Sequence, residues 1–154
     1  MNIIGIDPGQ KGGIACISQG VTAVYAMPDS PQGIIALLNS CQSCDTIMIV
    51  ELAQPMPKQG VVSSFTYGRH FGGFEWYACM RGIRYEEVRP AKWKKDMGLN
   101  SDKINSIKLC QRLFPTVELI PKGYRKPHDG MAEALLIAEW QRRQNMPIVE
   151  NDKI

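Results

Sequence analysis

Residues 2–7 read Asn-Ile-Ile-Gly-Ile-Asp, a short β-branched apolar run that ends in a carboxylate and is stopped by Pro8-Gly9. Such a run reads as a buried strand. A second run, Thr46–Glu51 (TIMIVE), is continuously apolar and also ends in an acid. It reads as a fully buried strand, predicted to lie parallel to the first. If the two are neighbours, their C-terminal ends place Asp7 and Glu51 side by side. That pairing constrains the rest of the chain, because buried strands need layers on their faces.

The remaining pattern supplies those layers. Gly12-Gly13 opens a strand over Ile14–Ser18, Gly20 makes a turn, and Val21–Met27 reads as a third strand. The two short connections predict antiparallel hairpins. Pro31–Ser40 reads as a helix capped by Ser30. Leu52–Gly60, rich in Pro and Gln, reads as a loop. Ser63 to Arg81 reads as a helix despite Gly68, Gly72 and Gly73, which could admit a close neighbour. Arg84–Val88 reads as a short strand and Pro90–Met97 as a short basic helix. Ser101 is expected to cap a helix running to Phe114, and Val117–Ile120 to form a further strand. Pro121–Pro127 reads as a basic loop and Asp129–Arg143 as a strong helix. The sum is an α/β architecture, a mixed central β-sheet flanked by helices. It is expected to form one domain over residues 1–146, followed by a polar tail over 147–154.

Composition excludes several classes. Hydrophobic residues make up 44% and charged residues 21%, an ordinary globular balance. No apolar run approaches a membrane span, so no membrane association is expected. The five cysteines are scattered, and Cys41-x-x-Cys44 lacks a second pair or nearby histidines to complete a zinc set. Reduced thiols and the lack of a signal-like start point to a cytoplasmic protein. Charge is unevenly spread: residues 1–57 carry net −3, residues 58–126 net +8 and residues 127–154 net −2. A basic surface around an acidic centre suits a polyanion whose phosphate is handled through metal ions, although solvated helix faces give the same count.

Four carboxylates form the acidic centre. Asp7 and Glu51 end strands, and Asp129 and Glu133 lie four apart on one face at the start of a helix. Taken singly, each could be a cap or surface acid, and the helix dipole favours anions at that end. Together they would repel unless protonated or neutralised. Hard divalent cations with oxygen ligands are the natural neutralisers. Two Mg²⁺ ions, with Mn²⁺ as a substitute, could activate a water and stabilise the leaving oxygen of a phosphodiester. His128, just before Asp129, reads as a structural group at the helix entry, with acid/base chemistry as the alternative.

These blocks resemble a known family. Asn2–Gly13 (NIIGIDPGQKGG) resembles the opening of the RuvC family of Holliday junction resolvases, in which the Asp of I-G-I-D-P-G is a metal ligand. Ile49–Glu51 is similar to its second catalytic strand, Gln59–Gly73 to the following helix of phage-type members, and Asp129–Ala138 (DGMAEALLIA) to its last helix. The resemblance spans residues 2–143. It implies an RNase H-like fold, a homodimer, and paired nicking of a four-way DNA junction inside a bacterial cell, in a chain that could be phage-encoded. Asp7, Glu51 and Glu133 carry over by motif position. Asp129 stands four residues before Glu133 where the family spacing is three, and the last acid is Glu rather than Asp. Trp93-Lys94-Lys95 and Ser101-Asp102-Lys103 look like the family's two lysine-bearing segments, which nominates Lys94 and Lys103 as catalytic.

Phosphate contacts are expected from Lys58, Arg69, Lys92, Lys95, Lys122, Arg125 and Lys126 as well as the two catalytic lysines. Met56, between two prolines, is the candidate wedge for the junction centre, whereas Phe65 and Phe71 read as core. A two-fold dimer could form across the glycine-bearing helix. Rival readings are an RNase H-like nuclease for flaps, hybrids or other branched DNA, a non-cleaving junction clamp, and half of an actin-like ATPase. The last needs two such lobes, for which this chain is too short.

Overall fold

The computed structural model describes residues 1–52, 54 and 60–145. The expected loop wedge Met56, Lys58 and the polar tail 147–154 lie outside the described residues.

Five strands form one sheet in the order β3-β2-β1-β4-β5. They are β1 (Asn2–Asp7), β2 (Gly13–Ser18), β3 (Val21–Ala26), β4 (Thr46–Glu51) and β5 (Arg84–Val88). The first three pair as antiparallel hairpins. β1 and β4 run parallel, with Gly5 opposite Ile49 and Ile6 opposite Val50. β5 extends the parallel half, Glu51 facing Val88. The sheet is therefore mixed, as the alternation of short turns and long crossovers predicts.

Strand parity sorts the core into two layers. Ile4, Ile6, Met48 and Val50 face one side, where they pack with Leu38 of α1 (Pro31–Cys41) and with Phe74 and Ala78 of α2 (Val61–Arg81). Ile3, Ile47 and Ile49 face the other side. There they meet α3 (Pro90–Asp96), α4 (Lys103–Leu113) and α5 (Asp129–Gln144). Asp7 and Glu51 share the odd parity of Ile3 and Ile49, so both project toward the α5 layer.

α5 is buried along most of its length, Gly130 through Glu139, and it lies unusually close to the sheet. A Cβ on Gly5 would fall 2.3 Å from the Ala134 carbonyl oxygen, and one on Gly130 would fall 2.2 Å from the Lys11 carbonyl oxygen. Only glycine permits both approaches. The Gly130 contact seats the first turn of α5 against the β1–β2 turn, and the Gly5 contact lays the middle of the helix against β1.

Three expectations are corrected. Val117–Ile120 is not a strand, because its polar groups are taken locally: Val117 N–H donates to Phe114 O, Ile120 N–H to Glu118 Oε1, and Leu119 O accepts from His128 N–H. The cap of α4 is Asp102 rather than Ser101; Asp102 Oδ1 accepts from Ile104 N–H at 2.9 Å, the geometry an N-cap requires. Phe65 is 72% exposed rather than core, because the α2 face that meets the sheet is the one carrying Phe74 and Ala78. Phe71 does pack against that core. Ser30 caps α1 as expected, accepting from Gly33 N–H. All five cysteines are free thiols, and among the described residues no helix is long and apolar enough to cross a membrane.

Candidate metal centre

The four predicted carboxylates come together at one end of the sheet, each delivered by a different local rule. Asp7 is the last residue of β1 and Glu51 the last of β4, one step beyond the paired residues Ile6 and Val50. Asp129 is the first residue of α5, and Glu133 lies one turn further in on the same face. The seating of Gly130 on the β1–β2 turn holds these last two against Asp7.

Their electrostatics show the crowding. Burial first, and then the negative charges of Glu51, Glu133 and Asp129, push the Asp7 carboxyl well above the ordinary aspartate range, against an opposing pull from Lys103. Glu51 is also raised, chiefly by burial, while the Trp93 indole works in the opposite direction. Asp129 differs: burial would raise it, but the bond and charge of Lys103 prevail and hold it below its usual value. The same bond keeps the Lys103 ammonium more firmly protonated than usual.

Both nominated lysines reach the acids. Lys94 Nζ lies 2.7 Å from Glu133 Oε1, which also accepts from Ser106 Oγ at 3.1 Å. Lys103 donates to Asp129 Oδ2. Among the described residues no three His, Cys, Asp or Glu side chains already stand as a finished metal-ligand group; Asp129 and Glu133 are paired with lysines instead. The donor set still fits a hard divalent cation. It is all oxygen and rich in charge, and Asp7, the most strongly perturbed member, receives no hydrogen bond from any described residue.

His128 resolves to a structural part. It is the N-cap of α5, its Nδ1 accepting from Met131 N–H at 3.2 Å, and its ring meets Tyr124 edge-on. The basic candidates divide by location. Lys122, Arg125 and Lys126 are exposed on the loop that leads to Asp129, and Lys95 is exposed on α3. Lys92 is engaged elsewhere, paired with Asp96 at 2.5 Å and stacked over Trp140. Arg69 lines an apolar groove between α1 and α2, away from the carboxylates.

Further side chains lie at the site. A groove of about 870 Å³ opens beside Glu51, lined in part by Lys11, Thr66, Tyr67 and His70. Burial and the charges of Asp7, Glu51 and Glu133 push the Tyr67 phenol above its usual range. The His70 Nδ1 is buried without a hydrogen-bond partner among the described residues. Trp93 Nε1 donates to Glu51 Oε2 at 2.6 Å. Trp93 had a visible signal, an aromatic inside a basic segment. Tyr67 was visible as one of the aromatics that follow Glu51 in the sequence; His70 and Ser106 had no signal, since helical residues far along the chain become neighbours of the acids only through packing.

No family model matches the sequence, and no curated protein matches it. Solved structures do match in shape. Thermus thermophilus RuvC in complex with a Holliday junction substrate superposes with a TM-score of 0.62 at 17% identity, covering 94% of this chain and 97% of that one. A second structure of T. thermophilus RuvC gives a TM-score of 0.60 at 17% identity, with 94% and 96% covered. The fold is therefore the RNase H-like α/β fold of those proteins, over nearly the whole length of both chains.

Proposed function

We propose that this chain is a divalent-metal-dependent endonuclease that binds four-way or otherwise branched DNA and nicks paired strands. The observation that carries the proposal is the convergence of Asp7, Glu51, Asp129 and Glu133 from two strands and a helix, with Lys94 and Lys103 on two of them. A protein of the same fold has been solved on a Holliday junction, which favours branched DNA over other phosphodiesters.

Asp7, Glu51, Asp129 and Glu133 would hold the cations, two Mg²⁺ ions by our reading, with Mn²⁺ able to replace them. Held by these carboxylates, such ions would supply water activation and stabilisation of the leaving oxygen of a phosphodiester. The chain's own residues do the rest. Lys94 and Lys103 present ammonium protons at the rim of the acidic cluster, where an incoming phosphate can take them as partners in place of the carboxylates. Lys95, Lys122, Arg125 and Lys126 fix the DNA backbone and give salt-dependent affinity. Met56, which follows β4 in the sequence, is assigned as the wedge that unstacks bases at the junction centre.

Paired nicking needs two sites related by a two-fold axis. α2 offers a face for it. Phe65, Trp76 and Met80 are exposed along the helix, and Gly68 and Gly72 have open space above them. We assign this face to a homodimer contact.

The test compares cleavage of a four-way junction, a flap and an RNA·DNA hybrid in Mg²⁺. Preferential paired nicking of the junction is expected. Efficient hybrid or flap cleavage with an inert junction would transfer the site to a different RNase H-like nuclease, and binding without cleavage of any substrate would make the chain a junction clamp.

A further inference from the structure

We infer that Trp93 is a positioning residue whose indole N–H holds Glu51 in the orientation that a divalent cation requires. The inference rests on the reading of Glu51 as a cation ligand and adds what holds that ligand still.

Trp93 is fully buried, packed in the core layer that contains Val88, Met97 and Cys110. A buried indole needs an acceptor for its single N–H, and here the acceptor is the buried Glu51 carboxylate, at 2.6 Å. A neutral donor has a specific consequence. It binds one carboxylate oxygen strongly while leaving the negative charge in place. The Trp93 bond thus leaves Oε1 of Glu51 without a donor among the described residues and adds no positive charge beside the carboxylate.

The next residue treats the other acid differently. Lys94 neutralises Glu133 with an ammonium and lies 5.2 Å from the centre of the Trp93 ring. One short helix, α3, therefore ties down carboxylates from β4 and from α5, one by a neutral bond and one by an ion pair. Core filling alone would need only the ring of Trp93, not its N–H. Groups that orient metal-binding carboxylates characteristically change cation affinity when they are removed.

The test replaces a single atom. Installing 3-benzothienylalanine at position 93 keeps the shape of the side chain and removes the donor; Trp93→Phe serves as a second variant. Mn²⁺ binding to the full-length protein is measured by calorimetry beside Glu51→Gln, with thermal melting as a control for folding. The expected result is a protein that still unfolds cooperatively, with its melt lowered by the loss of one bond to a buried carboxylate, and with Mn²⁺ affinity weakened about tenfold or more. The indole N–H resonance of Trp93 in the unmodified protein should also move on Mg²⁺ addition. If Glu51→Gln loses Mn²⁺ while the benzothienyl protein binds within about twofold of the unmodified one, Trp93 only fills the core and the inference is overturned. If Glu51→Gln itself binds Mn²⁺ normally, the metal centre was misread and the inference falls with it.

Discussion

Lys94 Nζ stands 2.7 Å from Glu133 Oε1, and both side chains are shielded, at 15% and 6% exposure. Lys103 and Asp129 make the corresponding pair one helical turn away, but at 66% and 30% exposure. The two pairs look alike in sequence and differ in environment. Lys94→Ala leaves Glu133 buried with only Ser106 as a donor, and should cost about 3 kcal/mol of stability. Lys103→Ala should cost less than about 1 kcal/mol. Both should depress nicking. Urea denaturation without divalent cations measures the difference, and equal costs would show that burial does not separate the pairs.

Asp7 carries a second prediction. Its carboxyl titrates above the ordinary aspartate range, so between that range and its raised value the folded state holds a proton that the unfolded state has released. Stability from this group is therefore full below the ordinary range and lost as pH rises through the raised value. Asp7→Asn should melt higher than the parent at neutral pH without divalent cations, and the gap should close as the solution is acidified below the ordinary aspartate range. The same variant should lose Mg²⁺-dependent nicking by orders of magnitude while junction binding in Ca²⁺ persists. Thermal melts across pH and a nicking assay check both halves.

The seat of α5 gives a third. A Cβ at Gly130 would meet backbone, the Lys11 carbonyl oxygen and Gly12, and not the end of a flexible side chain. Gly130→Ala should therefore cost about 1–3 kcal/mol. It should also lower nicking, because Asp129 and Glu133 move with the helix. Denaturant midpoints and cleavage rates test this; a stable and fully active Gly130→Ala protein would refute the proposed seating.

A fourth concerns the exposed face of α2. Trp76→Glu combined with Met80→Glu places charge on that face, away from the acidic cluster. Sedimentation should show a dimer for the parent and a monomer for the double variant, with each variant chain still folded. Parent protein that sediments as a monomer at micromolar concentration would remove the homodimer from the reading.

Much of the fold was legible in local pattern. β1, β4 and β5 begin and end where the sequence placed them, because each is a short run bounded by turn formers or acids. Val117–Ile120 misled for the same reason: an apolar, β-branched segment looks like a strand whether or not a neighbouring strand is available to pair with it. Phe65 misled because α2 carries apolar residues on more than one face, and only the position of the sheet selects which face is buried.

The four carboxylates follow the same division. The sequence by itself determined that Asp7 and Glu51 end buried strands and that Asp129 and Glu133 share a helix face, since strand parity and helical period are properties of the local chain. Only the tertiary structure decided that these three elements meet. It did so through the parallel pairing of β1 with β4 and through Gly5 and Gly130, which let α5 approach the sheet closely enough to bring its acids to Asp7. It also decided which neighbour each acid keeps: Trp93 for Glu51, Lys94 for Glu133 and Lys103 for Asp129. Those partners lie 26 to 42 residues away along the chain, beyond the reach of any local periodicity, and packing alone brings them together.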